Sequence, residues 1–237
     1  MTGKGKQMRQ PSSRTADEPQ APVEELGEAK TRILRAAEQL FAEHGYSGAS
    51  LRSIMAEAGV NTAAIHYHFG GKEDLLRTIF QMRVAPMNTD RQDRFDLIER
   101  ESAGGAPDVS DVLRAFIEPA IRRSREPDGQ AFNRISALCS VDPSPSVRQV
   151  VFDSYDGVSR RFTGLLRKAC AHLTDDEFYW RQHCIYGSMM YVRTDNGRVA
   201  YLLGTRTSGA SATALEQLLI FLTAGMKAPG SEAEFRS

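Results

Sequence analysis

Between positions 59 and 72 the chain reads Gly59-Val60-Asn61-Thr62-Ala63-Ala64-Ile65-His66-Tyr67-His68-Phe69-Gly70-Gly71-Lys72, a run that mixes hydrogen-bonding side chains with small ones. Three chemistries use such residues. Paired histidines hold a metal, a Gly-Lys step ends a phosphate-binding loop, and polar or small side chains on a helix read base edges in a major groove. Spacing excludes the first, because His66 and His68 are two apart and leave a helix in different directions. Identity excludes the second: G-x-x-x-x-G-K requires glycine at position 66, where this chain has His66. The third needs two short helices to hold the run. Elsewhere, Cys170, Cys184, His172 and His183 are of nucleophile and base type but show no motif spacing, so no catalytic residue, metal or cofactor is expected.

The required elements are legible. Ile33, Leu34, Ala37, Leu40 and Phe41 recur at the spacing of one helix face from Glu28 onward, and Gly45 stops that helix. Ser50 is a good N-cap for a second helix, Leu51 to Ala58, which Gly59 ends. Thr62 caps a third helix running to Phe69. Gly70 and Gly71 break the chain before a fourth, with Glu73 and Asp74 in its first turn and Leu75, Leu76, Ile79 and Phe80 on one face. Helix, three-residue turn (Gly59-Val60-Asn61), helix is the geometry that lets a second helix enter the major groove while the first crosses the backbone. Val60 and Ile65 lock the two together. Asn61, Thr62, Ala63, Ala64, His66, Tyr67 and His68 are left for the turn and the exposed positions, and Ala63 and Ala64 permit close approach to base edges or thymine methyls.

Charge neither strengthens nor removes this reading. Thirty basic residues balance thirty acidic ones among 237, so attraction to phosphate must come from a local face. Cys139, Cys170 and Cys184 lie far apart with no C-x-x-C pair, as in a reducing compartment. The chain lacks an apolar run of about 18 residues and a signal-peptide pattern, so a cytoplasmic protein with no membrane partner is expected.

Residues 33–76 resemble the TetR family of regulators throughout, first in AAEQLFAEHGYSGASLRSI and then in AEAGVNTAAIHYHFGGKEDLL. The resemblance implies that Lys72 contacts phosphate together with Tyr67 and His68, while Ser50, Arg52 and Ser53 add backbone contacts from the second helix. It implies an all-α fold with an N-terminal three-helix helix-turn-helix domain and a larger C-terminal helical domain that binds a small molecule and dimerises. Two positions depart from the family. Met55 stands where a small alanine is usual, and His66 where tyrosine is frequent, so the operator cannot be borrowed from a relative. VNTAAIHYHFGGKEDL followed by a long helical domain also resembles the fatty-acid-responsive PsrA-like subgroup.

The expected organisation is a flexible arm at 1–26, a DNA-binding domain at 27–82, a helical ligand-binding and dimerisation domain at 83–228, and a tail at 229–237. Pro86 is expected to end or kink the fourth helix, with a more polar helix from Asn88 to Ser102, and Pro119 to kink the next. The stripe from Val147 to Ala169 makes a central strut, Val199 to Leu203 reads as loop, and the last two helices are apolar beyond what one core needs. Pairing those two with a symmetric copy forms a four-helix bundle and a homodimer. Phe80, Phe116, Phe132, Phe152, Tyr155 and Phe162 are the candidate lining of an effector site. The function expected is that of a regulator that leaves double-stranded operator DNA on binding a small apolar or amphipathic effector. An activator, or a ligand-independent regulator with the same DNA-binding domain, remains open.

Overall fold

A computed structural model of the chain describes residues 23–61, 69–126, 129–204 and 212–230, with backbone alone at 23–26. Helices α1 (Val23–Gly48) and α2 (Leu51–Ala58) come first. The first begins at Val23 and breaks at Gly45 (φ 71°, ψ 173°), a conformation outside the helical region that a residue without Cβ adopts freely. Helix α3 (Lys72–Glu101) follows, then α4 (Val109–Arg123), α5 (Gly129–Ser140), α6 (Pro145–Ala169), α7 (Asp175–Thr194), α8 (Arg198–Leu203) and α9 (Ala212–Lys227). Among the described residues there is no strand.

These helices bury one continuous core. Helix α1 packs on α2, α3 and α5; α3 packs on α4 and α6; α9 packs on α4 and α7. Ile33, Phe41, Ile54 and Leu75 fill the N-terminal end, and Phe95, Phe116, Phe162 and Phe178 the helical domain, all essentially inaccessible. Ion pairs brace the long helices: among them, Arg94 of α3 reaches Glu118 of α4 at 3.2 Å, and Arg161 of α6 reaches Glu99 of α3 at 2.8 Å. Arg83 of α3 holds Glu38 of α1 in a two-pronged pair at 2.5 and 2.6 Å, tying the N-terminal helix to the long one.

Two expectations are corrected. Helix α3 runs unbroken through Pro86, so no separate helix starts at Asn88. Pro86 is exposed while Val84 and Met87 beside it are buried, so the carbonyl that loses its partner lies on the solvent side and water can satisfy it. Helix α4 also contains a proline, the buried Pro119, and continues to Arg123. Val199–Leu203 is not loop but lies within α8, a six-residue helix with no buried residue. Its periodicity was too short to distinguish turn from helix.

Candidate nucleic-acid interface

The described part of the site starts from the ends of α2. Ser50 is extended (φ −114°, ψ 153°), and its hydroxyl accepts from the Ser53 amide at 3.0 Å while the Ser53 hydroxyl accepts from the Ser50 amide at 3.0 Å. This reciprocal pair satisfies two helix-end donors. Its consequence for recognition is that both serine hydroxyls work inside the cap, leaving Arg52, which is exposed between them, as the cationic group of that helix end. At the other end Gly59 takes the left-handed conformation (φ 64°, ψ 37°), and Val60 donates to the Met55 carbonyl at 3.2 Å. Arg32 of α1 donates to the Ala58 carbonyl at 3.3 Å. Met55 is 2% exposed and fills the seam beneath α2. The chain turns at Gly59 with Asn61 exposed. Thr62, Ala63, Ala64, Ile65, His66, Tyr67 and His68 lie outside the described residues.

The chain is described again at Phe69, which is buried, and reaches Lys72 at the start of α3. Gly71, the N-cap, is extended and has no side chain to cap the first amides of this 30-residue helix. Lys72 Nζ lies 4.2 Å from the centre of the Tyr46 ring, which in turn sits 5.7 Å from Phe41. Burial lowers the Lys72 pKa, with the Asp142 carboxylate pulling the other way. Burial raises that of Tyr46, helped by Glu73. The arrangement holds one ammonium over an aromatic face at the amino end of a helix dipole, a combination suited to a phosphate oxygen. Sequence reasoning missed Tyr46. The only signal was an aromatic residue directly after the helix-ending Gly45, and nothing along the chain announces that positions 46 and 72 meet.

The candidate effector-site residues divide. Phe116 stacks on Phe162 with ring centres 4.0 Å apart, and Phe80 meets Phe132 edge-on at 5.2 Å. Tyr155 is partly buried near the first pair. Phe152, in contrast, is 58% exposed on the outer face of α6 and joins neither group. The apolar stripe of α6 runs through Val147, Val151 and Val158, and position 152 falls off it. Two residues absent from the sequence reading complete the Phe116 cluster: Tyr186 of α7, 6.0 Å from Phe116, and Arg91 of α3, whose guanidinium lies 4.2 Å over the same ring.

Comparison with known proteins places these two halves. Residues 33–79 match the family described as bacterial regulatory proteins of the tetR family, and residues 114–225 match the tetracyclin repressor-like C-terminal domain. Curated relatives include the transcriptional repressor AcnR of Corynebacterium efficiens, 39% identical over 90 residues, 38% of this chain and 41% of that one. Another is the transcriptional regulator SrpR of Pseudomonas putida, 36% identical over 66 residues, 28% of this chain and 31% of that one. The alignments thus span about a third of those relatives. Similar solved structures include the fatty acid degradation regulator FadR of Bacillus halodurans, with a TM-score of 0.60 at 18% identity, covering 89% of this chain and 99% of that one. FadR of Bacillus subtilis in complex with stearoyl-CoA has a TM-score of 0.59 at 15% identity, covering 82% and 98%. At such identities they share the fold. These matches do not reach down to the PsrA-like subgroup. With a helix-turn-helix match at one end and a regulator C-terminal match over most of the remainder, the chain belongs to the TetR family of transcriptional regulators.

Proposed function

We propose that this protein is a homodimeric repressor that binds a palindromic operator and releases it when a small molecule enters the helical domain, with no catalytic activity of its own. The observation that carries the reading is the pair of elements that flank positions 62–68. A capped α2 and the left-handed Gly59 turn precede that run, and Lys72 follows it at an uncapped helix end. That is the order of parts a recognition helix requires. In the proposed assignment Asn61, Thr62, Ala63, Ala64 and His66 face bases, whereas Arg52, Tyr67, His68 and Lys72 hold phosphates, with Ser50 and Ser53 fixing the helix end that presents Arg52.

Dimerisation through α7 and α9 is supported by what they leave uncovered. Trp180 is 64% exposed and Tyr191 56% on α7, and Ile220 is 63% and Phe221 70% on α9. A two-fold axis would pair this apolar face with itself. Coupling runs through α3, which carries Lys72 at one end and packs along α6 in the helical domain. An effector favouring one arrangement of that packing shifts operator affinity only by its preference between the two states.

Footprinting across the promoter of the protein's own gene tests the reading. A palindromic protected site, with affinity falling steeply as salt rises, is the expected result. Absence of protection upstream of that gene and its neighbours at low salt refutes it.

A further inference from the structure

The interior of the helical domain holds a cation without a counter-charge. Arg91 is 1% exposed. Its Nε donates to the Phe116 carbonyl at 2.8 Å and its Nη1 to Asn88 Oδ1 at 3.4 Å; among the described residues Nη2 makes no hydrogen bond and no carboxylate pairs with the guanidinium. Neighbouring carboxylates are spoken for. Asp90 is held by Arg94 and Arg122, and Glu118 by Arg94. Burial brings the Arg91 pKa down to about 10, which still leaves it charged at neutral pH. A second buried guanidinium, Arg193, adds to the positive field and, among the described residues, donates only to the amide oxygen of Asn133.

The surroundings complete a receptor. The Arg91 guanidinium lies 4.2 Å from the centre of the Phe116 ring and 6.0 Å from that of Tyr155. The Tyr155 hydroxyl is buried and, among the described residues, has no hydrogen-bond partner. Gln182 is bonded to Thr163 at 2.6 Å and to Tyr186 at 3.0 Å, so those neutral groups are already satisfied. A buried charge without a pair, beside a buried hydroxyl without a partner, is a costly arrangement for a fold to keep for its own sake. An arriving carboxylate removes both deficits together, since guanidinium presents two parallel donors to two carboxylate oxygens and the phenol adds a third.

We propose that the effector of this protein is an organic carboxylate, its acid group held by Arg91 and Tyr155 and its apolar body lying against Phe116, Phe162 and Tyr186. This deepens the repressor reading and rests on it for the word effector. The binding site itself stands on the interior geometry alone.

Thermal unfolding of the full chain with benzoate, 4-phenylbutyrate and octanoate, each compared with its neutral primary amide, tests the proposal. The expected result is stabilisation by at least one acid and not by its amide. Arg91→Met should weaken that acid at least tenfold by calorimetry while unfolding, without ligand, at or above the wild-type temperature, because it removes an uncompensated charge. Tyr155→Phe, which keeps the ring, should weaken the same acid severalfold and serves if Arg91→Met fails to fold. No stabilisation by any of the three acids, equal action of the amides, or unaltered acid binding in the folded variants overturns the proposal. Promoter binding by the wild type is measured in parallel. DNA binding without acid binding sinks this inference alone, and acid binding without DNA binding sinks the repressor reading alone.

Discussion

Replacing Glu38 by Gln removes one half of the link between α1 and α3. The pair with Arg83 has two short contacts, at 2.5 and 2.6 Å, and side-chain exposures of 15% for Glu38 and 24% for Arg83. It is too covered to be treated as a surface bridge, and a charge-assisted hydrogen bond in such a setting is worth roughly 1.5–3 kcal/mol against a neutral partner. The glutamine keeps one acceptor and its shape, so the expected loss is about 2 kcal/mol. For a chain of this size that lowers the unfolding midpoint by roughly 4–8 °C, at about 2–4 °C per kcal/mol. Arg83→Met should cost a similar amount, and the double variant little more than either alone, giving a coupling of about 1–2 kcal/mol. Thermal or urea unfolding of the four proteins measures the cycle. Losses that simply add would show that the two side chains are near each other without holding the helices together, and the argument for this link would be wrong.

Other perturbations follow from single contacts. Lys72→Ala should weaken binding to all DNA sequences alike and reduce the slope of log affinity on log salt by about one, measured by fluorescence anisotropy at several salt concentrations. Sequence-selective loss instead would place Lys72 on a base. Gly129→Ala should destabilise severely, by more than about 3 kcal/mol, because a Cβ there would stand 2.0 Å from the Arg123 carbonyl oxygen, backbone that cannot swing aside. A wild-type midpoint would contradict the tightness of the α4–α5 turn. Asp108, N-cap of α4, accepts from Ser110 and from Lys227 of α9, which hold its pKa down to about 2 from the usual 3.8. The depressed value means that its contribution is present above about pH 4 and fades as pH falls toward 2. Asp108→Asn should therefore flatten the acid limb of stability by less than about 1 kcal/mol, the side chains being half exposed, and leave the curve above pH 5 parallel to wild type.

The parts legible in the sequence are those fixed by local chemistry. Ser50 three positions before Ser53, and Gly59 after Ala58, define α2 to the residue because caps act within one turn. The stripe of α6 was equally plain, since Val147, Val150, Val158, Phe162 and Leu165 repeat at helical spacing. Pro86 leaves α3 unbroken because the hydrogen bond it removes lies on the solvent side, and exposure is a tertiary property. Partnerships across distance were invisible: Lys72 with Tyr46, Glu38 with Arg83, and Arg91 with Phe116 join positions 26, 45 and 25 apart. Phe152 shows the converse. A large aromatic residue beside a buried stripe looks like pocket lining until the helix is turned and it faces water.

The exposed proline in α3 has a mechanical consequence. Pro86 stands fourteen residues from Lys72, a lever arm of about 21 Å at 1.5 Å per residue. The missing hydrogen bond weakens the helix locally, and a bend of only about 5° there would carry the Lys72 end through roughly 2 Å. In the proposed dimer both ends would move, so the spacing of the two proposed DNA-contacting segments would change by up to about 4 Å against a groove repeat of about 34 Å. In the proposed dimer a modest flexure at one outward-facing residue would thus take the two proposed phosphate contacts out of register at once.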